Sequence, residues 1–252
     1  MNQKKISSDL KGYKLKFSQK IYRFFKAFID FITALVAIII TSPIFLITAI
    51  AIKVESKGPV FFCQERIGYK GKIFKCIKFR SMTEDANHHV AGYEYGEAKS
   101  YITKVGAFIR KTSIDELPQL YNILTFKMSL IGYRPSQENE VELNVPRSEY
   151  NMYQIRPGIT GWAQINGRDV LAAQPAKKAQ FDNYYLQKFS PWIDIKIFFL
   201  TIFKVFSKED VAEGIIEENL SKDASEEKAV TVDSSVTDSI KKVSGEEKEQ
   251  AV

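Results

Sequence analysis

Asp115 and Glu116 are adjacent carboxylates, preceded by Arg110 and Lys111 and followed by Pro118, in a run that continues to Arg134 and Pro135. A carboxylate can attack phosphorus when a neighbouring acid holds a divalent cation and guanidinium groups neutralise the target. In that reading Asp115 and Glu116 carry out chemistry on a phosphate. Arg110 and Arg134, whose planar forks match phosphate oxygens, bind it. The same stretch has a second reading. Ser113 followed three residues later by Glu116 fits a capping box, in which serine caps a helix and glutamate bonds back to it. Local spacing leaves both open.

Further cations lie elsewhere in the chain. Lys78 and Arg80 in Lys78-Phe79-Arg80-Ser81-Met82 share one face of an alternating strand, a pattern that a solvated edge also explains. Between Ile155 and Arg168, Pro157-Gly158, Gly161 and Gly167 indicate tight turns. Arg156, Arg168, Gln164 and Asn166 ring these turns and could meet a diphosphate together with backbone N–H groups. His88-His89 sits in a polar segment without other ligands at metal spacing and reads as an exposed loop. Cys63 and Cys76 show no metal spacing and read as free thiols of a reducing compartment.

The elements that must hold these residues follow from pattern. Pro118 is tolerated only near a helix start. A helix beginning near Asp115 carries Leu117, Leu120, Tyr121, Ile123 and Leu124 as its apolar stripe and places both carboxylates at the positive end of its dipole. Residues 59–80 read as a β-hairpin turning at Tyr69-Lys70-Gly71. Residues 31–52 contain no charge over 22 positions, enough helix to cross a bilayer. Ser42-Pro43 lies at the midpoint, where proline removes a backbone hydrogen bond. Lys20, Arg23 and Lys26 precede the stretch, and Lys53, Lys57, Arg66, Lys70, Lys72 and Lys75 follow it. The positive-inside tendency keeps both ends in the cytosol, so a re-entrant helix-break-helix fits, with a kinked span as the alternative. Asp30 at its edge needs a partner, Lys26 or Arg23. Residues 192–206 suit an interfacial helix with Trp192 at headgroup level, or equally a core helix.

The net charge of +6 divides into −7 over residues 207–252 and +13 over residues 1–206. A basic body suits an anionic membrane surface or phosphate-bearing ligands. Nucleic acid is the competing partner, but it leaves the apolar stretch without purpose. The acidic, serine-rich end reads as a disordered tail.

Five stretches in order carry a resemblance: Ser42-Pro43, Gln64 through Gly68, Lys78 through Met82, Arg110 through Asn122, and Arg156 through Arg168. Over about residues 26–206 the chain resembles the bacterial sugar transferases known as monotopic phosphoglycosyl transferases, or polyprenyl-phosphate sugar-1-phosphate transferases. The resemblance implies an α+β, mostly helical fold. A basic arm (1–26) precedes a re-entrant membrane helix (27–57). A small cytosolic catalytic domain with a β-hairpin and interfacial amphipathic helices (58–206) and the acidic tail (207–252) follow. It implies location at the bacterial cytoplasmic (inner) membrane, with the catalytic domain on the cytosolic face. It also implies transfer of a sugar-1-phosphate from a UDP-sugar to polyprenyl (undecaprenyl) phosphate, releasing UMP, as the first membrane step of surface glycan synthesis. Asp115 would be the nucleophile and Glu116 would hold Mg²⁺. Lys78, Arg110 and Arg134 rank first among the phosphate-binding cations, ahead of Arg80, Arg156 and Arg168. Membrane lipid, further copies of the chain and downstream glycosyltransferases are the partners expected.

The chain departs from the pattern at three places. Ala27 follows Lys26 where an arginine is common. Phe126-Lys127 replaces a Gly-Asp pair, reversing a charge near the site. Gly132-Tyr133-Arg134-Pro135 replaces Gly-Pro-Arg-Pro. A membrane anchor or scaffold that keeps the fold with weakened catalysis is the alternative these departures leave open.

Overall fold

Phe17–Glu55 forms one continuous α-helix of 39 residues, α1, in a computed structural model that describes residues 12–83, 101–167, 171 and 174–207. At 1.5 Å per residue α1 is about 58 Å long, roughly twice the hydrocarbon thickness of a bilayer. It begins ten residues before the expected boundary at residue 27, so the basic segment already contributes helix. The break expected at Ser42-Pro43 is absent: the helix runs unbroken through Pro43. Proline leaves the carbonyl four residues back without its donor, and here the Ser42 hydroxyl donates to that carbonyl, Ile39 O, at 2.8 Å. Thr41 likewise donates to Ala37 O at 2.6 Å.

One stripe of α1 is buried toward both ends, through Gln19, Lys26, Asp30 and Ala34 and again at Thr48 and Ile52, and is half-buried between them at Ala37, Ile38, Thr41 and Phe45. The opposite side exposes Phe24, Phe28, Ile39, Ile40, Leu46 and Ile47. A contiguous apolar surface of this size seeks lipid or a partner rather than water.

The hairpin appears where expected. β1 (Phe61–Ile67) pairs antiparallel with β2 (Ile73–Phe79), from Phe61 opposite Phe79 to Ile67 opposite Ile73. A 3₁₀ turn at Tyr69–Gly71 joins them. Phe79 packs with Ile52 of α1 and with Ile109 of α2 (Lys104–Lys111), a helix capped by the Thr103 hydroxyl accepting from Gly106 N. Glu55 at the end of α1 accepts from the N–H of Lys104 and Val105, so the two helix ends are joined.

The helix after the carboxylates is shorter than expected. Asp115 and Glu116 lie in a 3₁₀ turn, Ile114–Glu116, and α3 (Gln119–Leu124) starts after Pro118. Its apolar side is Leu117, Leu120, Ile123 and Leu124, packed on Ala34, Ala37 and Ile38 of α1 and on Phe74. Tyr121 points outward instead.

A second, parallel pairing had no signal in the sequence. β3 (Ser129–Ile131) runs beside β4 (Gly158–Thr160). Gly132 is required at its end, because a Cβ there would stand 2.5 Å from Arg156 O.

Four helices complete the body: α4 (Val141–Glu149), α5 (Trp162–Ile165), α6 (Pro175–Gln187) and α7 (Pro191–Ser207). The main core joins Ile131, Tyr133, Met152, Ile155, Tyr185 and Phe189 with Ile193 and Ile197 of α7. The outer side of α7 exposes Trp192, Phe198, Phe199 and Phe203, so this helix is apolar on both sides. A buried polar cluster ties α7 to α1. Asp194 accepts from Tyr22 and Tyr185 at 2.6 and 2.7 Å and pairs with Lys26 at 2.6 Å, while Lys26 also pairs with Asp30 at 3.5 Å. Lys26 is thus the partner of Asp30, as one of the two readings had it.

Candidate active site

The 3₁₀ turn carrying the carboxylates is set against the hairpin by Asn122. This side chain is almost wholly buried; it accepts from Ile77 N at 3.0 Å and donates to Lys75 O at 2.8 Å. Two bonds to the β2 backbone fix α3, and the turn before it, in register with Lys78. The Lys78 ammonium then donates to Glu116 Oε1 at 3.0 Å. Arg134 Nη2 donates to the same oxygen at 2.8 Å from the segment after β3. Along that segment Tyr133 turns into the core and Arg134 toward the carboxylates.

Asp115 is only 8% exposed and, among the described residues, accepts no hydrogen bond and forms no ion pair. Burial raises its pKa; Lys78 opposes this, Glu116 adds to it, and Arg110 and Arg134 pull it down. Burial also lowers the pKa of the Lys78 ammonium, an effect that Arg134 strengthens and Glu116 opposes. Glu116 raises that of the Arg134 guanidinium, keeping it charged. The pair is therefore differentiated. Glu116 is clamped between two cations, while Asp115 stands buried beside them without a partner.

The capping reading finds no counterpart in this geometry. Ser113 sits in the left-handed region at φ 57° and makes no side-chain cap bond, and Pro118 occupies the cap position of α3.

The predicted cations divide. Lys78 and Arg134 meet Glu116. Arg110 is exposed, donates to Met82 Sδ at 3.7 Å, and acts on Asp115 through its charge. Arg80 turns away from the carboxylates. Its guanidinium donates to Lys57 O at 2.6 Å and to Ser56 O and Oγ at 2.9 Å, closing the C-terminal end of α1. Alternation along β2 set Arg80 beside Lys78, but the unsatisfied carbonyls at a helix end capture it. Arg156 Nε donates to Phe126 O at 2.8 Å, and its guanidinium lies 5.4 Å from the Tyr69 ring centre, so it is held by a different group of residues. Arg168 lies outside the described residues, as do His88 and His89.

Two cations that sequence reasoning passed over act on this site. Arg66 pairs with Glu140 at 3.1 Å, donates to Pro135 O at 3.2 Å and to Gln64, and its charge acts on both Arg134 and Glu116. Its place in Gln64-Glu65-Arg66-Ile67-Gly68 was the available signal. Lys178 of α6 is half-buried; burial lowers its pKa to about 8, Arg147 adding to the effect and Asp182 and Glu140 opposing it. No local signal marked it. Nearby, the fully buried Arg147 bonds Asp182 and Ser136 and lies 5.0 Å from the Tyr133 ring centre. Tyr133 is thus a core residue, and Lys127 is exposed.

Mg²⁺ typically takes one or two carboxylates and completes its shell with water and substrate phosphate oxygens. Glu116, a buried carboxylate next to Asp115, is of the type such a site would use. No group of three or more acidic, histidine or cysteine ligands exists among the described residues.

The family described as "Bacterial sugar transferase" matches residues 21–208. A UDP-N-acetylgalactosamine-undecaprenyl-phosphate N-acetylgalactosaminephosphotransferase of Aeromonas hydrophila is 43% identical over 185 residues, covering 72% of this chain and 44% of that protein. A UDP-glucose:undecaprenyl-phosphate glucose-1-phosphate transferase of Escherichia coli (strain K12) is 41% identical over 192 residues, covering 74% and 41%. The chain thus spans less than half the length of these two relatives. The uncharacterized sugar transferase EpsL of Bacillus subtilis (strain 168) is 39% identical over 194 residues, covering 77% of this chain and 91% of that protein. The chain belongs to the bacterial sugar transferase family.

Proposed function

We propose that this protein transfers a sugar-1-phosphate from a UDP-sugar to polyprenyl phosphate at the cytosolic face of the bacterial cytoplasmic membrane. The observation that carries the proposal is the unpartnered, buried Asp115 beside a Glu116 clamped by Lys78 and Arg134. A nucleophile needs a free lone pair, and burial keeps its carboxylate weakly solvated and reactive.

In the first step an Asp115 carboxylate oxygen attacks the β-phosphorus of the UDP-sugar. The bond from that phosphorus to the bridging oxygen breaks, and UMP leaves with the electron pair. In the second, an oxygen of polyprenyl phosphate attacks the phosphorus of the aspartyl phosphosugar. The Asp115 carboxylate is regenerated and the sugar is carried on a lipid diphosphate. Lys78 and Arg134 neutralise charge that develops on the transferred phosphoryl group. Arg110 lowers the repulsion between the anionic substrate and Asp115. Glu116 would hold Mg²⁺, which when bound offsets diphosphate charge.

The membrane arrangement follows from α1. Its buried residues pack on the catalytic body near both ends, from Gln19 to Ile52, so both ends are held by one body, and the residues it exposes from Ile21 to Ile50 carry no charge. That supports a helix embedded from one side, with both ends facing the cytosol. The aromatic outer side of α7 lies in the same interface.

The test is UMP release by membranes supplied with UDP-sugars, polyprenyl phosphate and Mg²⁺. Metal-dependent release that Asp115→Asn abolishes supports the reaction. Undiminished release by Asp115→Asn refutes the nucleophile.

A further inference from the structure

Three cations converge on one aromatic ring at the turn of the hairpin. Arg23 of α1 lies 5.6 Å from the Tyr69 ring centre, Arg156 5.4 Å and Lys70 5.4 Å. Arg156 also lies 5.8 Å from the ring centre of Phe126, which stacks on Phe31 of α1 at 5.5 Å. The two guanidiniums are half-buried and fixed by backbone carbonyls. Arg23 Nη1 donates to Gln154 O at 2.9 Å and Arg156 Nε to Phe126 O at 2.8 Å. Among the described residues neither has a carboxylate within ion-pair distance. Asp30, whose charge reaches Arg156, already accepts from Ser129 at 2.5 Å and pairs with Lys26.

Gathering like charges in a half-buried site is unfavourable unless something negative joins them. Burial lowers the pKa of Arg156, and Arg23 lowers it further. Ring faces offset part of this cost through cation–π attraction but leave the guanidinium N–H groups available to an anion. The surroundings show how the anion arrives. Phe24, Phe25 and Phe28 are exposed on α1 around Arg23, and Phe126 is half exposed beside Arg156. Cations at the rim of an apolar, aromatic surface meet the headgroups of the lipids whose chains cover it.

We propose that Arg23, Lys70 and Arg156 around Tyr69 form a binding site for the phosphate of an anionic membrane phospholipid, separate from the catalytic carboxylates. Lys78, which meets Glu116, stands opposite Phe62, five residues along β1 from Ile67 at the turn end. At about 3.4 Å per residue the site lies about 17 Å along the hairpin from Lys78. A phosphate held there is out of reach of Asp115, so the occupant is a resident lipid that seats the body on the membrane rather than the acceptor. The inference rests on the membrane placement of α1 and is independent of the transfer reaction.

The test is native mass spectrometry of the detergent-solubilised full chain, titrated with phosphatidylglycerol, phosphatidylcholine or undecaprenyl phosphate, each with and without millimolar inorganic phosphate. Wild type is expected to bind phosphatidylglycerol about tenfold more tightly than phosphatidylcholine, with no competition from inorganic phosphate. The double variant Arg23→Gln/Arg156→Gln loses that preference, and Arg23→Lys/Arg156→Lys keeps most of it, which separates lost charge from lost folding. Equal binding of the two phospholipids, or a preference the glutamine variant retains, overturns the site. Preference for undecaprenyl phosphate that the glutamine variant abolishes, or displacement by inorganic phosphate, overturns the resident-lipid assignment. Release of the protein from native membranes by alkaline carbonate overturns the membrane placement itself, a separate failure.

Discussion

Lys78 and Arg134 donate to one and the same oxygen, Oε1 of Glu116, from opposite sides of the chain's order. Two positive charges on one carboxylate oxygen anchor Glu116 and leave both cations beside Asp115. Replacing either, as Lys78→Met or Arg134→Gln, is expected to lower kcat by about 10² to 10³-fold, the cost of removing one preorganised donor. Arg134→Lys should recover little, because a point charge cannot reproduce the planar fork. Steady-state UMP release by membranes reports both.

The acid side of the pH profile should belong to Asp115. Burial raises its pKa, so the reactive carboxylate is lost as pH falls through a range above that of an exposed aspartate. Arg110 holds that pKa down. Arg110→Gln, at an exposed side chain, should move the acid limb to higher pH. A limb that stays in place would separate Arg110 from the nucleophile.

The same burial gives a stability prediction of opposite sense. A carboxyl whose folded pKa is raised favours the fold at low pH, and that contribution is lost as pH rises through the raised pKa. At neutral pH Asp115→Asn removes a charge the fold disfavours. Its melting temperature should therefore equal or exceed wild type while turnover falls by about 10³-fold or more. Thermal unfolding in detergent at pH 5 and pH 8 measures it, the gain being larger at pH 8.

Arg80 should behave in the reverse way. Its guanidinium satisfies carbonyls of Ser56 and Lys57 at the end of α1 rather than the carboxylates. Arg80→Met leaves those carbonyls unpaired, at a cost of about 2 kcal/mol or more. It should lower the melting temperature with kcat of the folded fraction changed less than threefold. A large fall in kcat at unchanged stability would return Arg80 to the phosphate-binding group.

Much of this architecture was legible because it rests on local pattern. The charge-free run with Ser42-Pro43, the hairpin turning at Tyr69-Lys70-Gly71 and the adjacent Asp115 and Glu116 are each set by neighbours in sequence. Even the Ser-Pro pair has a local reason: the Ser42 hydroxyl takes the Ile39 carbonyl that Pro43 leaves without a donor. What sequence could not show depends on long-range partners. Arg80 and Lys78 look equivalent along a strand, yet one meets the end of α1 and the other Glu116. The β3–β4 pairing joins segments of three residues, too short for any periodicity. Lys178 becomes part of the site's electrostatics only because α6 packs beside α4 and the Arg147–Asp182 pair. Tyr133 looked like a departure within the site, whereas its ring belongs to the core and its neighbour Arg134 keeps the functional contact.

The central claim is covalent catalysis by Asp115, and trapping the intermediate tests it most directly. Membranes holding the full chain would be incubated with Mg²⁺ and a panel of UDP-sugars labelled in the β-phosphate, without polyprenyl phosphate, then quenched and digested. The account predicts label on the peptide containing Asp115, one equivalent of UMP released per labelled chain, and discharge of the label on adding polyprenyl phosphate. UMP release that begins only after the lipid is added, with no labelled peptide from any competent sugar, would contradict it.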